Sequence, residues 1–393
     1  MGNLCHSLDL QEPSVSIKLS KLEHQACRVV DDNKNMVDLD ELLRFAIHVG
    51  ASDLHVKVGS RPRVRIDGRL EETEFTPVGP GDTERIAFTI MPKHRADEFV
   101  KNSEADFAYA VPGLGRFRVN IFRQRGSVGM VFRRVVPGIP SFEDLGLPTI
   151  AQKLAEEHHG LIVVSGPAGS GKTTTLAAMI DHINHNQARH IVTIEDPIEV
   201  LHKDHLSIVN QREIGTDTED YVSAMHRVIR QDPDVILIGE LNDLETTQAA
   251  LAAAETGHLV LTTLHTMNTT ETIQRLVDFY PVHQQRSARM LVAATLKGII
   301  CQRLVTRVDG VGRVPACEVM TMTSRIFDRI VEPGDNPLDL GDIISDGDYY
   351  GMHTMDQSLL QLFGDGLVTR REALGNAINP AELRAAMETI RGE

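Results

Sequence analysis

Gly166, Pro167, Ala168, Gly169, Ser170, Gly171, Lys172 and Thr173 carry the strongest chemical signal in the sequence. They fit G-x-x-x-x-G-K-[ST] without a mismatch. Glycines at this spacing let backbone N–H groups turn toward a phosphate, and the helix N-terminus that follows adds positive potential. Lys172 can reach outer phosphates, the Thr173 hydroxyl can ligate Mg2+, and Thr174 extends the binding loop. The competing reading is a glycine-rich turn that binds nothing. The flanks argue against it. Leu161 to Val164 reads as a buried strand, and Thr174 to Ile183 as a helix with an apolar stripe.

Stepping outward, the same unit alternates strands and helices. Its strands are Leu161–Val164, His190–Ile194, Val235–Ile238 and Leu259–Thr263, with an alanine-rich helix from Leu244 to Thr256. Apolar strands of this length between helices argue a mainly parallel sheet covered on both faces. Ligands of such sheets sit at the carboxyl ends of the strands. After those ends stand the phosphate loop, Glu195-Asp196-Pro197-Ile198-Glu199, Gly239-Glu240 and Leu264-His265-Thr266. Together they suit phosphoryl chemistry: magnesium ligation, a carboxylate that positions water, and a polar sensor of the terminal phosphate. Taken singly, Glu195 and Asp196 also read as a helix cap, and His265 as a structural histidine.

The preceding residues differ in character. Residues 1 to 36 have weak periodicity and read as a flexible extension. From Asp38 onward a helix, alternating strands, two helical pieces and three more strands suggest a smaller, mostly antiparallel α+β domain. Between Val111 and Pro140 lie six arginines and no acid: Arg116, Arg118, Arg123, Arg125, Arg133 and Arg134. A solvated edge, a nucleic-acid surface or nucleotide phosphate would each explain them. Phe117, Phe122 and Phe132 alternate with them as core residues rather than base-stacking platforms. Val135 to Pro140 is linker-like in composition.

Composition narrows the classes. The 393 residues suggest two domains or more, and the net charge of −15 argues against broad nucleic-acid affinity. No apolar run reaches the roughly 20 residues of a membrane span. Cys5, Cys27, Cys301 and Cys317 have no zinc spacing and read as reduced thiols. Beyond Met267, Thr269–Val277 and His283–Ile300 read as helices, Gln302-Arg303-Leu304 as a strand start and Val314–Met320 as a strand. Ser324–Val331 reads as a helix, Glu332–Leu340 as a turn-rich break, and three helical stretches follow from Met355 to Ile390.

From Leu39 to Ala377 the sequence resembles the bacterial secretion-type ATPases, most closely the type IV pilus retraction ATPases of the PilT/PilU kind. The phosphate loop, an aspartate box at Thr193 to Glu199, a Walker B segment at Asp234 to Glu240 and a histidine box at Glu255 to Thr266 carry it. The resemblance implies an α/β fold, with a RecA-like P-loop domain at 145–377 behind a PAS-like domain at 37–136, a linker at 137–144 and a tail at 378–393. It implies an ATPase using ATP and Mg2+. Glu199 matches the presumed catalytic carboxylate, while strand-end geometry also allows Glu195. Glu240 places magnesium or water, His265 senses the phosphate, and Arg118 and Arg133 reach the phosphates on closure. It further implies a cytoplasmic homohexamer at the inner face of the cytoplasmic membrane. Its expected partners are a PilC-like platform protein and a paralogous pilus ATPase, with no nucleic acid. Asn242 stands where this family normally has arginine, and Ser324 to Pro333 matches only loosely. Pilus assembly or type II secretion, and an accessory or regulatory nucleotide-binding role, are the alternatives to retraction.

Overall fold

The structure, a computed structural model, describes residues 37–66, 68–135, 138–333 and 338–391. The expected extension 1–36, with Cys5 and Cys27, lies outside the described residues.

The N-terminal unit contains α1 (Leu39–His48), β1 (Asp53–Lys57), β2 (Arg63–Ile66), β3 (Arg69–Glu72), α2 (Pro80–Ile90), α3 (Lys93–Asn102), β4 (Glu104–Val111), β5 (Gly115–Gln124) and β6 (Ser127–Val135). Its strands form one antiparallel sheet in the order β3-β2-β1-β6-β5-β4. Side chains alternate between faces, so residues in register share one. Leu54, Phe132 and Val119 lie in one such row and bury with Leu42, Ala87 and Phe99 of the three helices. Asp53, Arg133 and Arg118 form the neighbouring row on the opposite, polar face. Phe117 and Phe132 bury as a half-buried strand requires, but Phe122, in step with Arg116 and Arg118, stands half-buried on the opposite face and outside the core, which corrects its expected place.

The second unit begins with α4 (Phe142–Leu145), α5 (Thr149–Ala155), β7 (Gly160–Ser165), α6 (Lys172–Asn186), β8 (His190–Glu195), β9 (Ile208–Glu213), α7 (Tyr221–Val228) and β10 (Val235–Ile238). It continues through α8 (Leu244–Glu255), β11 (Leu259–Leu264), α9 (Thr269–Asp278), α10 (Gln285–Thr295), β12 (Leu296–Thr306) and β13 (Arg313–Thr321). Then come α11 (Ser324–Val331), α12 (Leu338–Ser345), α13 (Met355–Gly364), α14 (Arg370–Asn376) and α15 (Pro380–Arg391). The sheet order is β13-β12-β7-β11-β10-β8-β9, parallel except for β13. Alternate residues of β7 feed two cores: Leu161 and Val163 on one face, Ile162 and Val164 on the other. Burial on both faces explains the unbroken apolar strands. The last three helices pack Met355, Leu359, Leu383 and Met387 against Val305 and Ala316.

Three expectations are corrected. The helix expected over His283–Ile300 ends at Thr295, and Leu296 starts a strand that reaches Thr306. Between β7 and β13 that strand is buried on both faces, so its apolar run has no period to separate it from helix. The edge strand β9 was not anticipated, because only Ile208 and Val209 of its six residues are apolar. Part of the expected turn-rich break is α12.

Ile300 is fully buried in β12. Ile300→Ala is expected to cost about 2–5 kcal/mol in a denaturant melt. A loss below about 1 kcal/mol would return residues 296–300 to a helix end.

Candidate active site at the phosphate loop

The buried strand β7 delivers the chain into Gly166, and Gly171 forms the N-cap of α6. Both glycines have positive φ, 144° and 90°. The loop folds over Lys172, whose Nζ donates to the carbonyls of Gly166 at 2.8 Å and Pro167 at 3.1 Å. Burial pushes the Lys172 ammonium below its usual pKa, while the charges of Glu240 and Glu199 act in the other direction. Lys172 is thus a buried cation held by dipoles rather than by a contacting carboxylate, as a phosphate ligand requires. Ser170 Oγ is buried with no partner among the described residues. The Thr173 side chain is exposed at the start of α6, free to meet a cation. No group of three His, Cys, Asp or Glu side chains among the described residues is built to hold a metal ion. Beside the loop, a cavity of about 330 Å³ is lined by Leu145, Leu147, Thr174, Leu304 and Pro315.

Neighbouring strand ends bring the polar groups in. His265 after β11 places Nδ1 3.4 Å from Lys172 Nζ and Nε2 3.3 Å from Glu240 Oε2. An ammonium only donates, so Nδ1 accepts, and the proton sits on Nε2, which donates to Glu240. Asn242 Nδ2 donates to the other Glu240 oxygen at 2.5 Å. The side chains of Asn242, Glu240, His265 and Lys172 form one continuous chain. The expected set Lys172, Glu240 and His265 is brought together.

The two carboxylates after β8 have different surroundings. Glu195 Oε1 accepts from Thr193 at 2.6 Å and from Gln211 at 3.1 Å. Burial pushes the Glu195 carboxyl above its usual range despite those bonds. Glu199 is more open, its side chain 43% exposed, and Arg118 Nη1 donates to it at 3.2 Å. Arg133, the cross-strand neighbour of Arg118, instead donates from Nε to Asp53 Oδ1 at 2.9 Å. Burial would raise the Asp53 carboxyl, but bonds from Arg133 and Ser52 hold it below its usual range.

Arg116 and Arg95 are site residues that sequence reasoning missed. Arg116 pairs with the buried Glu213, whose Oε2 also accepts from the Ile198 N–H at 3.1 Å. Arg95 of α3 lies 3.8 Å from Asp196. The six-arginine run was a signal for Arg116, although nothing singled out its partner on the unrecognised strand β9. Arg95 lies outside that run and had no signal. Three arginines of the N-terminal unit therefore meet three acids around the 195–199 loop and β9.

Residues 29–333 match the type II/IV secretion system protein family. The chain belongs to that family. Within it, the chain is a PilT/PilU-like secretion ATPase. It is 40% identical to the type IV pilus retractation ATPase PilT of Pseudomonas aeruginosa over 344 residues, 88% of this chain and 99% of that one. It is 39% identical to the type IV pilus ATPase PilU of the same organism over 348 residues, 88% of this chain and 91% of that one. The crystal structure of the pilus retraction motor PilT with bound ADP superimposes with a TM-score of 0.82 at 42% identity, covering 89% and 99% of the two chains. This PilT/PilU-like ATPase has its phosphate loop and its N-terminal arginines on facing units.

Arg116→Ala would leave the Glu213 carboxylate buried without a counterion. The expected cost is about 3 kcal/mol in thermal or urea unfolding. Adding Glu213→Gln should recover part of it. An unchanged melting curve for Arg116→Ala would show that the pair does not hold the two units together.

Proposed function

We propose that the chain is an ATP-driven motor for type IV pilus retraction, acting as a homohexamer in the cytoplasm against a PilC-like platform protein at the inner face of the cytoplasmic membrane. A paralogous pilus ATPase is a further expected partner. The single observation that carries the mechanism is the Arg118–Glu199 contact. It joins the N-terminal sheet to the loop after β8. Near-complete coverage of PilT, a retraction ATPase by name, supports retraction over assembly or secretion. Among the described residues no helix is long and apolar enough to cross a membrane.

In this reading Gly166 to Gly171 surround the phosphates with backbone N–H groups, and Lys172 neutralises the outer ones. Thr173 and Glu240 would hold Mg2+, which would supply positive charge at the terminal phosphate. His265, its proton on Nε2, reports that phosphate to Glu240. Glu199 positions and deprotonates the attacking water, and it is the more accessible of the two candidate carboxylates. Glu195, already bonded to Thr193 and Gln211, shapes the loop. While Arg118 grips Glu199, one oxygen of the carboxylate is occupied by the guanidinium. A terminal phosphate competes for that guanidinium, and its transfer frees Glu199 while drawing the N-terminal unit inward. Arg133 follows on the same face once it leaves Asp53. The cavity beside Thr174, lined by both apolar and polar side chains, receives the base. In this reading the N-terminal unit is a PAS-like domain, and the second unit, from α4 through α15, is a RecA-like ATPase domain with its C-terminal helices. Arg116, Arg118 and Arg133 of the basic run lie against the chain's own carboxylates, and in this reading the run serves the nucleotide rather than nucleic acid. A second reading, an accessory paralogue, rests on Asn242, which orients Glu240 without adding charge.

Lys172→Ala should abolish hydrolysis by purified protein that still folds, with a melting temperature lowered by the loss of its bonds to the Gly166 and Pro167 carbonyls. Glu199→Gln should lower turnover about 10²-fold or more with nucleotide affinity retained. If Glu195→Gln shows that pattern and Glu199→Gln does not, the carboxylate roles are exchanged. Arg118→Ala should also cut turnover far more than affinity, and the fragment from Ser141 onward should bind ATP yet hydrolyse it poorly. In the host, deletion complemented by Lys172→Ala should leave surface pili in place and abolish surface motility. Loss of the pili themselves would transfer the protein to assembly.

A further inference from the structure

We propose that Gln302 is a positioning residue that sets the phosphate loop in its anion-binding conformation. The role rests on the phosphate-loop reading above and adds a residue that the motif does not contain. Gln302 lies in the middle of β12 and is 3% exposed. Its Nε2 donates to the Ser170 carbonyl at 2.7 Å, and its Oε1 accepts from Thr175 Oγ1 at 2.8 Å. A carbonyl oxygen only accepts, so the Ser170 contact fixes which end of the amide faces the loop. The Thr175 hydroxyl, itself buried in the first turn of α6, donates to the other end.

The consequence is geometric. In a trans peptide the C=O and the following N–H point in opposite directions. Pinning the Ser170 carbonyl toward β12 turns the Gly171 N–H away from it, toward the side from which the loop meets phosphate. Without Gln302 that carbonyl would be buried and unsatisfied, and the peptide would gain by rotating toward another donor. The closeness of β12 also accounts for two glycines of the motif. A Cβ on Gly166 would stand 2.3 Å from the Gln302 carbonyl oxygen, and one on Gly171 would stand 2.8 Å from Gln302 Nε2. The next residue anchors the strand elsewhere: Arg303 Nη1 donates to the carbonyl of Asn376 at the end of α14, at 2.6 Å. The loop is thereby braced from behind by a strand tied to the C-terminal helices.

The test uses the full chain as wild type, Gln302→Glu, Thr175→Val and Lys172→Ala. Steady-state ATP hydrolysis, binding of a fluorescent ADP and thermal melting are measured on each. Gln302→Glu keeps the shape and the acceptor but cannot donate to Ser170 as a carboxylate. It should raise the ATP KM and weaken ADP binding about tenfold or more, with kcat at saturating ATP changed about threefold or less. Thr175→Val leaves Gln302 in place but removes the donor that orients its amide, and should weaken ADP binding about threefold. Lower melting temperatures with ADP affinity unchanged in both variants would make Gln302 a packing residue and overturn the proposal. If Gln302→Glu fails to fold, unchanged affinity in Thr175→Val overturns it alone. Full hydrolysis by Lys172→Ala would instead overturn the site assignment beneath it.

Discussion

A loop that offers its backbone N–H groups to phosphate must find other partners for its carbonyls, because the loop lies at the edge of a buried sheet. Here that need is met from two sides. Lys172 reaches back to the carbonyls of Gly166 and Pro167, and Gln302 takes that of Ser170. Much of the second unit follows from these bonds. β12 must run beside β7, close enough that only glycine fits at two positions of the loop. It must also be rigid, which explains its burial between β7 and β13 and its tie to α14.

The second constraint is charge. Glu195, Asp196, Glu199 and Glu240 crowd the carboxyl ends of β8 and β10, where a nucleotide would add more negative charge. Burial already pushes Glu195 and Asp196 toward their neutral forms. The second unit contributes Lys172 to this centre, and the compensation arrives from the N-terminal unit as Arg95 of α3 and Arg116 and Arg118 of β5. The local reversal of sign in a chain of net charge −15 is thereby explained in part. Arg116 and Arg118 are counterions of another unit's carboxylates, while Arg123 and Arg133 pair with Glu84 and Asp53 of their own unit. The two units are electrostatically incomplete apart.

Legibility in the sequence followed the locality of each signal. The loop, its flanking strand and helix, and the groups after each strand end are all encoded within a few residues, and Lys172, Glu240 and His265 meet as expected. Family resemblance supplied Arg118, and β5 does carry it to Glu199. Residues whose meaning depends on distant partners were opaque. Gln302 is a polar residue in an apolar strand until Ser170 and Thr175 are placed beside it, 132 and 127 positions away. Glu213 sits on an edge strand too polar to be recognised, 97 positions from Arg116. The end of α10 failed for another reason. A doubly buried strand has no period, and Thr295 is followed directly by such a strand.

The placement of Arg116 and Arg118 explains how a local exchange of ligands becomes a movement. They stand two residues apart on one face of β5, about 7 Å from each other. Arg116 is held in a buried pair with a carboxylate that also takes the Ile198 N–H, so removing it from Glu213 leaves two groups unsatisfied. Arg118 has side-chain exposure of 41% against a partner at 43%, and its pairing is correspondingly weak. In the proposed motor, phosphate therefore competes for Arg118 rather than for Arg116, and the strong pair is the pivot about which the weak pair exchanges. On that proposal the antiparallel sheet carries the rotation toward its far edge at β3.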